Sequence, residues 1–309
     1  MYQKLIVVLC AICIFTACSP RFGSGYITMP AGGLDNFLSY QGEQQIPLVS
    51  AHRGGGDYAG FPENSLESFQ YILNKAPAIL EFDVAMTKDS IFMLMHDNTL
   101  DRTTTCTGEV NEQTWTDIQS CFLEDNDGRK TPFKVPLYVD ALQFIKGKAI
   151  ATVDVKRGVP YEKIVEYIEK YQAEDYAAVI TYNLKDARKV YDLNPKLMIS
   201  ITIRNEQELQ QTLDAGIPSA NILAFTGTDA AKPALYQKLH ELGILTIFGT
   251  LGGMDEKAEK MSRKESKELY RQLIENGVDI LATDRPIEAA KAIRKITPKK
   301  SAQLQYFKK

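Results

Sequence analysis

Three short segments place ionisable side chains at spacings suited to phosphate chemistry. His52-Arg53-Gly54-Gly55-Gly56 sets an imidazole beside a guanidinium, with glycines that allow a bound group to approach the backbone. Glu81 and Asp83 stand two residues apart at the end of an apolar run, so in a strand both carboxylates face the same way. Two acids on the inner face of a sheet are costly unless a cation shares them. That points to a hard divalent ion, Mg²⁺ or Ca²⁺, with a buried ion pair to Lys or Arg as the plainer alternative. Asp154 and Lys156 repeat the spacing, adding a third carboxylate and a cation. His96-Asp97 closes a further apolar run over 91–95, which the tight turn at 87–90 returns antiparallel beside Glu81 and Asp83. Two histidines could therefore flank one metal-bound phosphate. The glycines are not followed by the Gly-Lys-Ser of a phosphate loop, and no Gly-x-Ser-x-Gly elbow occurs. His240, between Leu239 and Glu241 in a helical stretch, reads as a surface residue.

Such groups must be held by a scaffold. Short β-branched runs at 47–52, 79–84, 149–155, 177–181, 197–203, 221–225, 243–248 and 279–283 alternate with amphipathic stretches. Pro62-Glu63-Asn64-Ser65 is a helix-start signal before Leu66. About eight strand–helix units over roughly 250 residues predict a TIM (β/α)8 barrel, in which active groups collect at the C-terminal strand ends. An open doubly wound sheet produces a similar pattern. The polar, turn-rich stretch at about 97–137 reads as a small segment inserted on the barrel rim, within a barrel spanning 46–297.

The termini read differently. Lys4 precedes an apolar run over 5–17, shorter than the ~20 residues that cross a bilayer but suited to a signal peptide. The run ends Phe15-Thr16-Ala17-Cys18, similar to a bacterial lipobox, which makes 1–18 a processed segment and Cys18 the lipidation site. Phe15 replaces the usual Leu, so a plain signal peptide is the alternative. Residues 19–45 are loose and glycine-bearing and read as a tether to the membrane, while 298–309 read as a polar tail. The expected location is exported, periplasmic or anchored to the outer membrane of a bacterium. Beyond Cys18 only Cys106 and Cys121 remain, and an oxidising compartment favours a disulfide between them over a metal site. With 36 Lys plus Arg against 39 Asp plus Glu, the net charge of −3 supplies no field for nucleic acid.

His52-Arg53-Gly54, Pro62-Glu63-Asn64-Ser65, Glu81-x-Asp83-Val84, Thr87-Lys88-Asp89, His96-Asp97, Arg102-Thr103-Thr104 and Gly108 together resemble the glycerophosphodiester phosphodiesterases. Val135-Pro136-Leu137, Asp154-x-Lys156 and Thr283-Asp284-x-Pro286 fit later landmarks. The resemblance implies a TIM barrel with a rim insertion that uses Mg²⁺ or Ca²⁺ to cleave glycerophosphodiesters to glycerol 3-phosphate and an alcohol. It implies Glu81, Asp83 and Asp154 as metal ligands and His52 and His96 as acid and base. Arg53 and Lys156 would hold the phosphate, and Glu63 and Asn64 would shape the first loop. Two departures stand out: Asp154 where the family usually has Glu, and Phe248-Gly249-Thr250-Leu251-Gly252 where it often has Trp-Thr-Val-Asn. They leave room for a lysolipid, sphingolipid or other phosphodiester as substrate, or for a non-catalytic binding lipoprotein on the same barrel.

Overall fold

The computed structural model describes residues 25–308. Eight parallel strands close into a ring: Leu48–Ala51, Ile79–Met86, Ile150–Val155, Ala177–Thr181, Met198–Thr202, Ile222–Phe225, Leu245–Gly249 and Ile280–Thr283. The eighth pairs with the first (Ile280 beside Leu48), and the first with the second (Ser50 beside Ile79). Helices between the strands pack outside, so this is a TIM (β/α)8 barrel, and each run expected as a strand is a stave of it. The strands are buried on both faces, which explains their near-continuous apolar sequence. The extra strand, Phe92–Leu94, runs antiparallel to Ile79–Met86, as the tight turn requires. Ser65 starts helix Leu66–Leu73 by accepting the Ser68 N–H at 3.1 Å.

The tether expected over 19–45 is corrected for residues 25–45, which are packed against the N-terminal end of the barrel. That end would otherwise expose Leu48, Ile150, Met198, Leu223 and Leu245 to water, and Ile27, Leu34, Phe37 and Leu38 cover them. The expected polar tail is corrected with it. Phe307–Lys308 pairs antiparallel with Tyr26–Ile27, and Gln303, 2% exposed, accepts the Ile46 N–H and donates to the Phe37 carbonyl. His240 is also corrected, because it faces inward at this end. Its Nε2 lies 2.8 Å from Asp279, and its ring stacks on Tyr40 with centroids 3.7 Å apart. Cys18 and the apolar run before it lie outside the described residues.

The segment after His96 supplies Leu100, Val110, Ile118, Leu123 and Val135 to a small separate core with Met93 and Met95, and it forms a hairpin of Phe122–Glu124 and Lys130–Lys134. Cys106 and Cys121 are joined by a disulfide across 15 residues. Closing a loop of that size removes about 3 kcal/mol of chain entropy from the unfolded state. Urea unfolding of a Cys106→Ser, Cys121→Ser variant should show a loss of about that size. An unchanged midpoint would mean the hairpin core alone holds the segment.

Candidate active site

Every residue singled out at a strand end sits at the C-terminal mouth of the barrel, and the structure brings them together. Glu81, Asp83 and Asp154 are all buried, and each offers an oxygen within 4.8 Å of the others. Lys156 Nζ lies 3.0 Å from both Asp83 and Asp154. Burial, and then repulsion from Asp83, pushes the Glu81 carboxyl well above the ordinary carboxylate range. Asp154 rises for the same reasons despite Lys156. Asp83 goes the other way, because Lys156 and the Asn64 amide outweigh its burial.

Arg53 is placed by its backbone as much as by its side chain. It adopts a left-handed conformation (φ 51°), which costs a non-glycine residue about 1–2 kcal/mol. Its N–H donates to Glu81 at 2.6 Å, and its carbonyl accepts the Asn64 N–H at 2.8 Å. Asn64 in turn clasps the second strand, donating to Asp83 Oδ2 at 2.8 Å and accepting the Asp83 N–H at 3.0 Å. The Arg53 guanidinium reaches Glu63 at 3.2 Å and His96 Nε2 at 2.7 Å. Glu63 also takes a two-pronged bond from Arg102 at 2.8 and 2.9 Å. Close packing around Arg53 requires the glycines that follow it. A Cβ on Gly54 would fall 2.1 Å from the Phe69 ring, and one on Gly56 would fall 2.6 Å from Glu63 Cβ.

The two histidines have different partners. His52 Nδ1 donates to Asp284 at 2.6 Å, leaving Nε2 free. Burial opposes charge on this ring, but the Asp284 bond and the nearby Glu81 charge prevail, so its pKa is raised. His96 Nδ1 lies 2.7 Å from Asp97, while Nε2 receives the Arg53 N–H, which puts the ring proton on Nδ1. Asp97, bound to Arg102 and His96, stays far below the ordinary range.

Asp284, Arg102 and Tyr182 were not assigned roles from sequence. Tyr182 donates to Asp154 at 2.8 Å and Gly252 N–H holds Asp284 at 3.0 Å. Asp284 and Tyr182 each directly follow a barrel strand, the position that marks site residues, and could have been found by that rule. Below Glu81 and Asp154 the barrel interior is hollow, with about 140 Å³ between small side chains such as Ser50, Thr152 and Ser200. Outside His52 a wider mouth of about 520 Å³ is bounded by Arg53, Arg102, Leu251 and Asp284. Leu251, within the run Phe248–Gly252, borders both spaces.

A closed parallel barrel with acids, imidazoles and cations converging at its C-terminal mouth defines a TIM-barrel hydrolase of phosphate esters. More narrowly, the chain belongs to the glycerophosphoryl diester phosphodiesterase family, whose pattern matches residues 52–251, and it is an enzyme of that class. A crystal structure of a glycerophosphoryl diester phosphodiesterase from Parabacteroides distasonis is similar at TM-score 0.85 and 35% identity, covering 92% of this chain and 99% of that one. The glycerophosphodiester phosphodiesterase of Bacillus altitudinis is 24% identical over 259 residues, 79% of this chain and 96% of its own length. Human glycerophosphodiester phosphodiesterase 1 is 36% identical over 95 residues, 30% of this chain and 28% of its own.

Proposed function

We propose that this protein hydrolyses glycerophosphodiesters to glycerol 3-phosphate and an alcohol at a divalent cation held by Glu81, Asp83 and Asp154. One observation carries the reading. Two buried polar atoms at the site have no partner: Asp154 Oδ1, an acceptor, and Arg53 Nε, a donor 3.9 Å from Asp83. A carboxylate oxygen and a guanidinium N–H each left without a hydrogen-bond partner, beside a crowded set of carboxylates, fit a metal and a phosphate bound side by side. When bound, Mg²⁺ or Ca²⁺ would neutralise charge on the phosphate oxygens as the ester is attacked.

The remaining steps fall to the protein. Arg53 Nε and Lys156 hold the phosphate oxygens. His96, whose Nε2 is freed when the Arg53 guanidinium turns from it to the phosphate, takes the proton of the glycerol hydroxyl next to the ester. That oxygen attacks phosphorus and gives a cyclic phosphate. His52, with its proton kept by Asp284, gives Nε2–H to the departing alcohol, and water then opens the ring. Glu63 and Asn64 keep Arg53 and Asp83 in place. A panel of phosphodiesters tests this: glycerol 3-phosphate should be released from glycerophosphodiesters, and a diester lacking the neighbouring hydroxyl should be inert. Turnover of lysolipids or sphingolipids without glycerophosphodiester turnover would replace the substrate, and no turnover at all would leave a binding protein.

The reading extends to an exported enzyme lipidated at Cys18. In membrane fractionation the wild type should pellet and Cys18→Ala should not. Recovery of both in the soluble fraction would remove the anchor.

A further inference from the structure

The described chain begins at Gly25, at the end of the barrel opposite the catalytic mouth. Gly25 N–H donates to the carbonyl of Leu73, at the end of the helix that leads into the second barrel strand, and Ile27 N–H to that of Lys148, just before the third. Cys18 lies only seven residues earlier, a reach of at most about 25 Å. The C-terminal segment that packs beside this point is basic, although the whole chain has a net charge of −3. Residues 289–308 contain Lys291, Arg294, Lys295, Lys299, Lys300 and Lys308 and no acidic residue. All six are exposed, and none of them is ion-paired with a carboxylate among the described residues. Lys291 and Arg294 share a shallow groove with Lys75, Pro47 and Phe307, and Phe307 pairs with Ile27, so these three cations lie on one surface beside Tyr26–Ile27. Acids at this end include Asp35, Glu43, Asp175 and Asp279, but Asp175 is taken by the Gly32 N–H and Asp279 by His240, and none of the four is ion-paired with these cations among the described residues.

We propose that this basic end rests on an anionic phospholipid bilayer and turns the catalytic mouth away from it. Cation number and chain length agree on this. Each Lys or Arg at an anionic surface strengthens partitioning about fivefold, and a tether this short keeps the basic end within reach of the headgroups. In the third barrel strand, Ile150–Val155, Asp154 stands four residues, about 13 Å, beyond Ile150 at that end, so the carboxylates stand clear of the membrane. The anchored enzyme therefore draws water-soluble diesters from the aqueous side and leaves lipids of its own bilayer uncut. The orientation rests on the Cys18 anchor and the hydrolase reading, but the charged surface can be tested without either.

The chain from Ser19 onward, which keeps every described residue, is sedimented with vesicles of phosphatidylcholine alone or mixed with phosphatidylglycerol. It should favour the mixed vesicles by at least about tenfold at low salt and lose this preference at high salt. Lys291→Glu, Arg294→Glu and Lys295→Glu together should weaken that binding about a hundredfold or more while leaving turnover of soluble diester unchanged. Equal binding to both vesicles, or a triple variant that binds like wild type, would overturn the surface. The lipidated protein on vesicles should cleave soluble glycerophosphodiester and spare a lysolipid in the same bilayer, and comparable rates on both would overturn the orientation. Soluble-diester turnover in the same samples shows separately whether the hydrolase reading holds, and fractionation of Cys18→Ala shows whether the anchor does.

Discussion

His52→Ala and His96→Ala should each lower kcat by at least about 10²-fold, with up to about 10⁴-fold within the range for a positioned acid or base. Both variants should still bind metal, because neither ring is among the three clustered carboxylates. The two losses should differ in their pH signature. His52 keeps its proton to higher pH because the Asp284 bond and the Glu81 charge overcome burial. As the acid it must be protonated, so activity falls as pH rises through its pKa. Asp284→Asn removes the supporting charge and lets burial dominate, which should move the alkaline limb of the kcat profile to lower pH and leave the acid limb where it was. An alkaline limb that stays in place would reverse the roles of the two histidines or remove His52 from proton transfer. Near-wild-type turnover by a folded, metal-loaded alanine variant would falsify the assignment of that histidine.

The parts of this molecule legible in its sequence are those whose physics is local. A stave buried on both faces has to be a continuous apolar run, so the strands show themselves, and two acids at i and i+2 on a strand end declare a shared face whatever surrounds them. Residues 25–45 are different. Ile27, Leu34, Phe37 and Leu38 are scattered among glycines and polar residues, and only the open end of the barrel makes their burial favourable. Gln303 looks like a solvated residue until its two backbone partners arrive from 37 and 46. His240 depends likewise on Tyr40 and Asp279 from distant parts of the chain. Within the site, Arg53, Glu63 and Asn64 are legible as residues near phosphate chemistry, but their work is not. A positive-φ Arg53 braced by Glu81 and Asn64, and the Glu63–Arg102 fork that aims its guanidinium, are three-dimensional facts.

Chelation should abolish turnover, and Mg²⁺ or Ca²⁺ should restore it, if Glu81, Asp83 and Asp154 form one cation site. A readout independent of activity is available. A cation bound only by the folded state raises stability by about 2.7 kcal/mol at a hundred times its dissociation constant, so melting temperature reports occupancy directly. Asp83→Asn removes a charge and nearly conserves shape, and it should weaken this effect by at least about 10²-fold in cation concentration. The pH dependence has a definite sign. The ligands must be deprotonated, and Glu81 and Asp154 hold their protons to higher pH than ordinary carboxyls, so affinity should fade on acidification well before an exposed carboxylate would titrate. Asp154→Glu is the sharper test. Asp154 Oδ1 is unpartnered while its other oxygen is tied to Lys156 and Tyr182, which leaves Oδ1 as the atom that would meet a cation. Glu extends the carboxylate by about 1.5 Å and should keep or raise both affinity and turnover. If Asp154→Glu instead loses the metal-dependent shift, the cation rests on Glu81 and Asp83, and Asp154 acts by holding Lys156 over the phosphate.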